Sequence, residues 1–557
     1  MRRWMTRLAA LAALALLAGC VSIPTGGGVT TTQVDAEGPE NPLLSLPNGP
    51  AEDASPEEIV AEFLRAGRGP QENYKVAREF LTDDFRSAWI PGARTLISST
   101  PIEPVALADN TWSVSISATA SVDNQGRYQA ASPAEGYDLA FGLVQNAEGQ
   151  WRISSAPDGT VLSPNRFSSI YAPFEVYFFD PSFDFLVPDL RWFRAGTTAA
   201  ARVVDALLAG PDERLGSGAL FSAFPPGTEQ NGDIVLDSGT ATVPLTSDVN
   251  AGGAAVHRRM QQQLLQSLRS VASVREIEIT VNGFTLQIPE GGTPPESTYL
   301  VGNDPIGASP EGQVGVLSGG SVTPLPGIGR AADALGGTGG SIVSRDRDAI
   351  VLLSDAGVSV VRSGQDPAVI DGRSGLIVPS LDPLGYTWSV PAGSPDALQA
   401  IGSDGTIHGV PGLPEDASVI SLDVSRDGAR VLAALQSASG PRLVVLGVQR
   451  DADLVPTALI TPLDLPIGDA PLLDAAWVDG VTVVALTALG TDTAVDTYDI
   501  GGQSASRGEL TGGRVIVGGN TVEGIRVLTA DGAVMRPGGG DSWQDTGIDA
   551  SFLVTQL

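Results

Sequence analysis

The chain has 557 residues, too many for a single hydrophobic core, so roughly two to four domains are expected. Its net charge of −31, from 64 acidic and 33 basic residues, repels phosphate backbones and argues against nucleic-acid binding. A single cysteine and two histidines exclude an intrachain disulfide and a zinc site built from cysteine and histidine.

The N-terminal residues have the organisation of a bacterial lipoprotein signal. Three arginines precede an apolar run over residues 8–18, and Leu17-Ala18-Gly19-Cys20 matches the lipobox. In a lipobox the signal peptide, here residues 1–19, is removed just before the cysteine. The cysteine then carries a diacylglycerol on its sulfur and an acyl chain on its amine. We therefore predict lipidation at Cys20; an ordinary signal peptide with a chance cysteine is the alternative.

Residues 20–53 are predicted to be a flexible linker. Glycine, threonine and proline dominate this stretch, and no apolar periodicity is present. No later segment is long and apolar enough to cross a bilayer, whereas two acyl chains anchor stably. The expected location is the extracytoplasmic face of the cell membrane, with the lipid as the anchor.

Residues 54–160 are predicted to form a small α+β domain. Ser55-Pro56-Glu57-Glu58 is a capping box with proline at the first helical position, and a second helix is expected over 71–81. Alternating strands follow at 112–122, 136–144 and 151–154. Helices followed by an antiparallel sheet resemble NTF2-like domains, which are cone-shaped. No paired His and Asp suggests catalysis inside this cone.

The next region is the most aromatic of the chain. One interpretation is a platform on which sugars stack; the other, which we favour, is strand core and packing between domains. The aromatic residues are Phe167, Tyr171, Phe174, Tyr177, Phe178, Phe179, Phe183, Phe185, Trp192 and Phe193.

Residues 165–290 are predicted to be a second α+β domain. Helices are expected at 197–209, ended by Gly210-Pro211, and at 253–271, where an apolar stripe recurs at helical spacing. A hairpin is expected around Asp237-Ser238-Gly239, and a strand over 276–281. With Leu207-Leu208-Ala209-Gly210-Pro211 and Gln263-Leu264 in this order, the region resembles a GerMN domain. The residues that carry the resemblance are structural.

Residues 300–557 are predicted to be an all-β propeller. Short polar turns, each followed by apolar strands, recur at intervals near forty residues, which is the spacing of four-stranded blades. About six units fit the length, five or seven would also fit, and a pair of β-sandwiches is the structural alternative. The clearest unit has strands over 419–424, 429–435 and 443–446 around Ser425-Arg426-Asp427-Gly428.

The sequence contains no constellation that predicts catalysis, cofactor binding or metal binding. His257 and His408 fall in different predicted domains, and no nucleophile motif precedes a helix. Pairs of carboxylates could cleave glycosides, but none of the acidic residues is singled out by its spacing.

The order of lipobox, linker, NTF2-like domain, GerMN domain and propeller resembles the LpqB family of actinobacterial lipoproteins over nearly the whole chain. The resemblance implies a non-enzymatic accessory that binds the extracellular domain of MtrB, the sensor histidine kinase of the MtrAB two-component system. Effects on cell-wall and division control would follow. Two further hypotheses are a cell-wall glycan-binding lipoprotein, with peptidoglycan as its partner, and a propeller glycan hydrolase.

Overall fold

The computed structural model describes residues 48–108, 110–216, 218–319, 321–328 and 341–556. The lipobox, Cys20 and residues 1–47 in general lie outside the described residues. No helix in the described part of the chain is long and apolar enough to cross a membrane.

The first folded region consists of three helices packed on a six-stranded sheet. The strand order is β5-β4-β3-β1-β6, with β2 beside β3. The elements are α1 (Pro56–Ala66), α2 (Gln71–Glu79), α3 (Asp83–Ala88), β1 (Arg94–Ile97), β2 (Val105–Ala106), β3 (Thr111–Asp123), β4 (Tyr128–Gln145), β5 (Trp151–Ser155) and β6 (Thr160–Leu162).

The predicted start of α1 is confirmed in detail. The backbone N–H of Glu58 donates to the Ser55 hydroxyl, and the Glu58 carboxylate accepts from the backbone N–H of Ser55 across 2.8 Å. Inside the cone, aromatic rings fill the space between helices and sheet: Phe63 lies 5.0 Å from Trp89 and 6.1 Å from Phe141, measured between ring centroids. These rings make the cone interior a hydrophobic core.

The second helix ends earlier than predicted. Residues 80 and 81 were expected to continue it, but Phe80 accepts a hydrogen bond from Ile153 N–H, and Thr82 N–H donates to the Ile153 carbonyl across 2.9 Å. The chain at Leu81 therefore lies beside β5 as a short parallel bridge. Pairing with the sheet edge supersedes the helical pattern, which local sequence alone cannot reveal.

The second region has two sheets with a long helix between them. The pair β7–β8 forms one sheet, and β12-β11-β10-β9 forms the other, in which β10 and β11 are parallel. Its elements are α4 (Pro164–Ile170), β7 (Tyr171–Phe179), β8 (Leu186–Arg194), α5 (Ala199–Ala209), α6 (Glu213–Gly216), β9 (Val235–Asp237), β10 (Thr240–Leu245), α7 (Ala254–Ala272), β11 (Glu276–Val281) and β12 (Phe284–Thr285).

The helix α7 also completes the hydrogen bonding of β7. The Ser267 hydroxyl accepts from Tyr177 N–H across 3.0 Å, and the Gln263 amide donates to the Tyr177 carbonyl across 2.8 Å. The Gln263 amide oxygen accepts from Ala223 N–H. Both polar side chains are fully buried. They replace the neighbouring strand that β7 lacks on this side.

The remaining described strands form six four-stranded blades, arranged one after another along the chain. The strands are β13 (Ile306–Ala308), β14 (Val314–Ser318), β15 (Ser321–Pro324), β16 (Ser341–Val343), β17 (Ala349–Ser354), β18 (Gly357–Arg362), β19 (Ala368–Asp371), β20 (Ser380–Leu381), β21 (Thr387–Ser389), β22 (Gln399–Ile401), β23 (Ile407–Gly409), β24 (Ala417–Val424), β25 (Arg430–Ser437), β26 (Gly440–Arg450), β27 (Pro456–Asp464), β28 (Leu472–Trp477), β29 (Thr482–Leu489), β30 (Asp492–Asp499), β31 (Ser504–Thr511), β32 (Gly513–Val517), β33 (Arg526–Thr529), β34 (Ala533–Gly539), β35 (Ser542–Asp549) and β36 (Phe552–Gln556).

The last strand closes the ring. Strand β36 pairs antiparallel with β13, aligning Phe552 with Ala308, so the first blade takes its innermost strand from the end of the chain. The predicted propeller of about six blades is confirmed, and the β-sandwich alternative is wrong. The turn at 309–312 joins the second and third strands of its blade, because the first strand is β36, whereas the turn at 425–428 joins the first and second strands of its own blade.

Candidate functional site

The second domain is seated on one end of the propeller, over the corners between the first and second strands of several blades. The guanidinium of Arg426 donates to the carbonyl of Gly519 across 2.7 Å and to that of Tyr299 across 3.2 Å. Asn520 exchanges two hydrogen bonds with the backbone of Val301, at 2.7 and 2.9 Å. These contacts attach the segment that connects the domains to the fourth and sixth blades.

A buried ion pair lies at the centre of this junction. Arg430 donates to the Asp427 carboxylate across 2.7 Å, and both side chains are only 1% exposed. The same guanidinium reaches the Pro188 carbonyl on β8 across 3.4 Å and stacks 5.1 Å from the Trp477 ring centroid. Because an isolated buried charge is costly, these partners must remain assembled.

A cavity of about 230 Å³ opens at the same junction. Its walls come from β7 and β8, from the connecting segment and from three blades, and they include Glu175, Asp479 and Asp427, whose carboxylate is already paired with Arg430. The one lining arginine, Arg426, is already held by the two carbonyls described above. The cavity therefore presents acceptors for hydrogen bonds and for positive charge.

The lining of this cavity does not assemble a nucleophile with a base. Its residues include no histidine, cysteine or lysine. Burial raises the pKa of Tyr177, and the neighbouring Glu175 carboxylate, which accepts from its hydroxyl, raises the pKa further. Burial likewise raises the pKa of Tyr299. Both phenols therefore stay protonated at neutral pH and are poor bases there.

The junction between the first two domains is aromatic. The Trp192 ring packs 5.2 Å from Phe167 and 5.6 Å from Tyr128, and its backbone N–H donates to the Gly126 carbonyl across 2.7 Å. Its indole N–H donates to the Gly501 carbonyl of the propeller across 3.0 Å. One side chain thus touches all three folded regions.

The aromatic residues predicted from the sequence are core residues. Seven of the ten are buried, and Tyr171, Phe183 and Phe185 are partly buried. The packing interpretation is therefore confirmed, and the sugar-stacking platform is wrong for this region. The buried residues are Phe167, Phe174, Tyr177, Phe178, Phe179, Trp192 and Phe193.

A buried polar network supports this junction from the side. Arg191 makes a two-point ion pair with Asp189, at 2.8 and 2.7 Å. Its Nη1 donates to the Gln125 carbonyl of the first domain across 3.2 Å, and its Nη2 also reaches the Gly210 carbonyl across 3.4 Å. Asp189 in turn accepts from the backbone N–H of Asp212 across 2.9 Å. The network fixes the turn around Gln125 against β8.

Two carboxylates lie on innermost strands of the propeller, and sequence reasoning did not single them out. Burial raises the pKa of Asp423 to about 6 and that of Asp474 to about 7. Asp474 accepts from Ile516 N–H of the next blade across 2.9 Å, and Asp423 accepts from the Ser380 hydroxyl of the preceding blade across 3.2 Å. Each carboxylate therefore links adjacent blades. The available signal was an aspartate inside an otherwise apolar strand.

The two histidines lie in different domains and make unrelated contacts. The ring of His257 hydrogen-bonds to the Val249 carbonyl across 2.9 Å, and His408 on β23 packs edge-on against Tyr386. No group of three or more side chains suited to holding a metal ion occurs among the described residues. The predicted lipidation residue Cys20 and lipobox residues Leu17, Ala18 and Gly19 lie outside the described ranges.

Comparison with known families divides the chain into three consecutive parts. Residues 49–168 match the family described as lipoprotein LpqB, N-terminal domain. Residues 175–287 match the family described as sporulation and spore germination. Residues 312–549 match the family described as lipoprotein LpqB beta-propeller domain.

Among individual relatives, the chain is similar to proteins named lipoprotein LpqB from several actinobacteria. Identity to the Cutibacterium acnes protein is 28%, over 50% of this chain and 47% of that protein. Identity to the Thermobifida fusca protein is 29%, over 49% and 46%. These two alignments span about half the length of each relative. The Streptomyces coelicolor protein is 28% identical over 82% of this chain and 81% of its own.

Solved structures resemble separate parts of the chain. The first GerMN domain of the sporulation protein GerM from Bacillus subtilis is 19% identical, with a TM-score of 0.19, over 22% of this chain and 94% of that one. A putative TolB from Agrobacterium tumefaciens is 13% identical, with a TM-score of 0.29, over 38% and 82%.

Proposed function

The chain belongs to the LpqB family of lipoproteins, and we propose that it is a non-enzymatic, membrane-anchored accessory of a sensor kinase. The kinase is of the MtrB type, from the MtrAB two-component system, and the lipoprotein binds its extracellular domain. Lipidation at Cys20 holds the accessory at the extracytoplasmic face of the membrane. Control of cell-wall synthesis and division follows from the altered kinase.

The observation that carries this proposal is the way the three folded regions are joined. Trp192 and Arg430 each bind across a domain boundary through buried contacts. A body assembled in this way presents its outer surfaces in fixed relative positions. Such a body suits recognition of one conformation of a partner, because only differential affinity for two kinase states shifts their equilibrium.

The lipid anchor and the linker contribute by concentration. Confinement to a layer beside the membrane raises the local concentration of the lipoprotein near membrane proteins. If the 33 residues that follow Cys20 are the flexible linker that the sequence predicts, they span roughly 30 Å on average, which sets the depth of that layer. Weak contacts between lipoprotein and kinase would then suffice for occupancy.

The test is reconstitution of full-length kinase in lipid nanodiscs, with and without the lipidated full-length chain. We expect the autophosphorylation rate to change with lipoprotein concentration and to saturate. A Cys20→Ser chain, titrated over the same range of bulk concentrations, is the control. It should need a far higher concentration to give the same change in autophosphorylation rate. Equal rates with and without the lipoprotein, in the presence of verified co-incorporation, would contradict the proposal.

The non-enzymatic part of the proposal has its own test. The pKa values of Asp423 and Asp474 are raised, as that of a general acid would be, yet each carboxylate is buried and hydrogen-bonded to a neighbouring blade. We therefore expect no release of soluble fragments when the full chain is incubated with purified cell wall. Release that disappears in an Asp474→Asn chain would support hydrolysis instead.

A further inference from the structure

A groove of about 510 Å³ lies on the first domain, between helix α1 and residues 102–105, which lead into strand β2. Its apolar part is formed by Ala61 of the helix and by Ile102 and Val105 of the opposite wall. None of the residues that line the groove takes part in the contacts described above at the two domain junctions, which involve Gly126, β8 and the propeller.

The strand on this wall is an edge. Among the described residues β2 pairs with β3 alone, in a register that aligns Val105 with Ser113 and Ala106 with Trp112. Leu107 N–H donates to the Thr111 carbonyl across 2.8 Å, so Leu107 and Val105 bond inward. Because bonding alternates along an antiparallel strand, the N–H and carbonyl of Ala106 face away from β3.

The apolar side chains along this edge strand are exposed to solvent. Val105 is 60% exposed and Leu107 is 61% exposed, and alternation along a strand places both on one face. Isolated domains usually blunt their edge strands with charge, proline or a covering element, since a bare edge recruits another chain. Here β2 is only two residues long, and Pro104, at the preceding outward position, has no N–H to donate. The open part of the edge is therefore the N–H and carbonyl of Ala106.

The charges around the groove are acidic. Glu57, Glu58, Glu62 and Glu103 line it, and the single lining arginine, Arg65, is ion-paired to Glu62. A groove of similar size on the same domain is balanced, with Glu79 and Asp83 beside Arg86 and Arg152. The excess of carboxylates is therefore a property of the groove beside β2 and not of every groove on this domain.

We propose that the groove beside β2 binds an extended segment with basic side chains, which adds to β2 as a further strand. The backbone of that segment would pair with Ala106, its apolar side chains would cover Val105, and its basic side chains would meet the glutamates. The occupant is a segment of the partner kinase, so this identification rests on the proposed function. The chain's own residues 21–47 are a poor candidate because they contain acidic residues and no lysine or arginine.

The first experiment measures binding of a probe without the kinase. The lipidated full chain is placed in nanodiscs of zwitterionic lipid, and a fluorescent peptide of alternating lysine and valine is titrated against it. We expect saturable binding that weakens with salt. The same peptide with N-methylated backbone amides keeps its charge but cannot pair as a strand, and it should not bind.

Three variants locate the site of the probe. Ala106→Pro removes the outward N–H and leaves the inward bonds of β2, so it should abolish binding. The double variant Glu57→Gln with Glu103→Gln should weaken binding roughly tenfold. It tests the same site if the proline variant fails to fold. Glu79→Gln with Asp83→Asn removes two carboxylates from the balanced groove and should leave binding unchanged. Equal affinity of the probe for all of these chains would overturn the inference.

The second experiment repeats the comparison with the reconstituted kinase. We expect the Ala106→Pro and the Glu57→Gln with Glu103→Gln chains to need at least tenfold more lipoprotein for the same effect on autophosphorylation. If both act like wild type, the groove is not the kinase site, although the proposed function stands. If wild type has no effect on the kinase but the probe results hold, the proposed function fails and the groove binds another basic partner.

Discussion

The indole N–H of Trp192 donates to the carbonyl oxygen of Gly501 across 3.0 Å, joining strand β8 to the fifth blade of the propeller. The same ring also packs on Tyr128 of the first domain and on Phe167 of α4. A movement of the propeller relative to the first domain would have to break one of these contacts. The three regions are therefore joined at this one residue.

The first prediction concerns this residue. Trp192→Phe keeps an aromatic ring but removes the indole N–H, leaving the Gly501 carbonyl without its donor. We expect a loss of about 1 kcal/mol in the free energy of unfolding. Amide hydrogen exchange in the turn around Gly501 should also become faster. Trp543→Phe removes an indole hydrogen bond from the sixth blade to the Arg507 carbonyl on β31, and it should leave exchange at Gly501 unchanged.

The second prediction concerns the buried ion pair. Asp427→Ala leaves the Arg430 guanidinium buried without its carboxylate, and we expect a loss of about 3–5 kcal/mol in the free energy of unfolding. Adding Arg430→Met should recover part of that loss, because the stranded charge is gone. Chemical denaturation of the three chains measures the difference. A double variant that is less stable than Asp427→Ala would contradict this assignment.

The elements that could be predicted from the sequence are those with local causes. The capping box of Ser55 and Glu58 depends on four adjacent residues, and the end of α5 depends on Gly210, which has a φ of 92°. Glycine adopts that conformation without steric cost, so the end of this helix could be predicted from the sequence. The recurring turns predicted a propeller of about six blades, but five or seven also fitted their spacing, and the count of six comes from the described strands.

The features that could not be predicted have causes distant in the chain. The innermost strand of the first blade is β36, whose pairing with β13 joins Phe552 to Ala308. Trp192 was predicted to pack in the core or between domains, but its hydrogen-bond partner Gly501 lies 309 residues away and could not be predicted. The edge at Ala106 depends on the register of β2 against β3, which no local pattern specifies. Cys20 was predicted from a motif and stays a prediction.

A third prediction tests how α7 supports β7. Gln263→Leu removes the partners of the Tyr177 carbonyl and of Ala223 N–H, both of which are buried. We expect a loss of about 1–3 kcal/mol for each group left without a partner. Gln262→Leu, at a partly exposed position of the same helix, should cost much less. Thermal unfolding of both chains under the same conditions gives the comparison.

A fourth prediction concerns pH. The pKa of Asp474 is raised to about 7, chiefly by burial, whereas an unfolded aspartate titrates near 4. Between these values the folded state holds a proton that the unfolded state has lost. Stability contributed by Asp474 is therefore full below about pH 4 and is lost as the pH rises through 7. The slope for one such group is at most about 1.4 kcal/mol per pH unit.

The readout for this prediction is the unfolding temperature between pH 5 and pH 8. Wild type should unfold at progressively lower temperature as the pH rises, and Asp423, with a pKa of about 6, should add to the trend. Asp474→Asn keeps an acceptor for Ile516 N–H but does not titrate, so its profile should be flatter. An identical pH profile for both chains would show that Asp474 does not control this dependence.

The last prediction concerns the anchor. Cys20→Ser removes the thiol that accepts the diacylglycerol, so we expect neither acylation nor retention in the membrane fraction. Gly19→Ala keeps a small residue before the cysteine and should preserve both, which separates the chemistry of the thiol from a general defect in export. Labelled fatty acid and fractionation after a high-salt wash are the measurements. If the Cys20→Ser chain stays fully membrane-bound after that wash, protein contacts and not lipid hold it, and the concentration argument for acting on a kinase would then rest on those contacts alone.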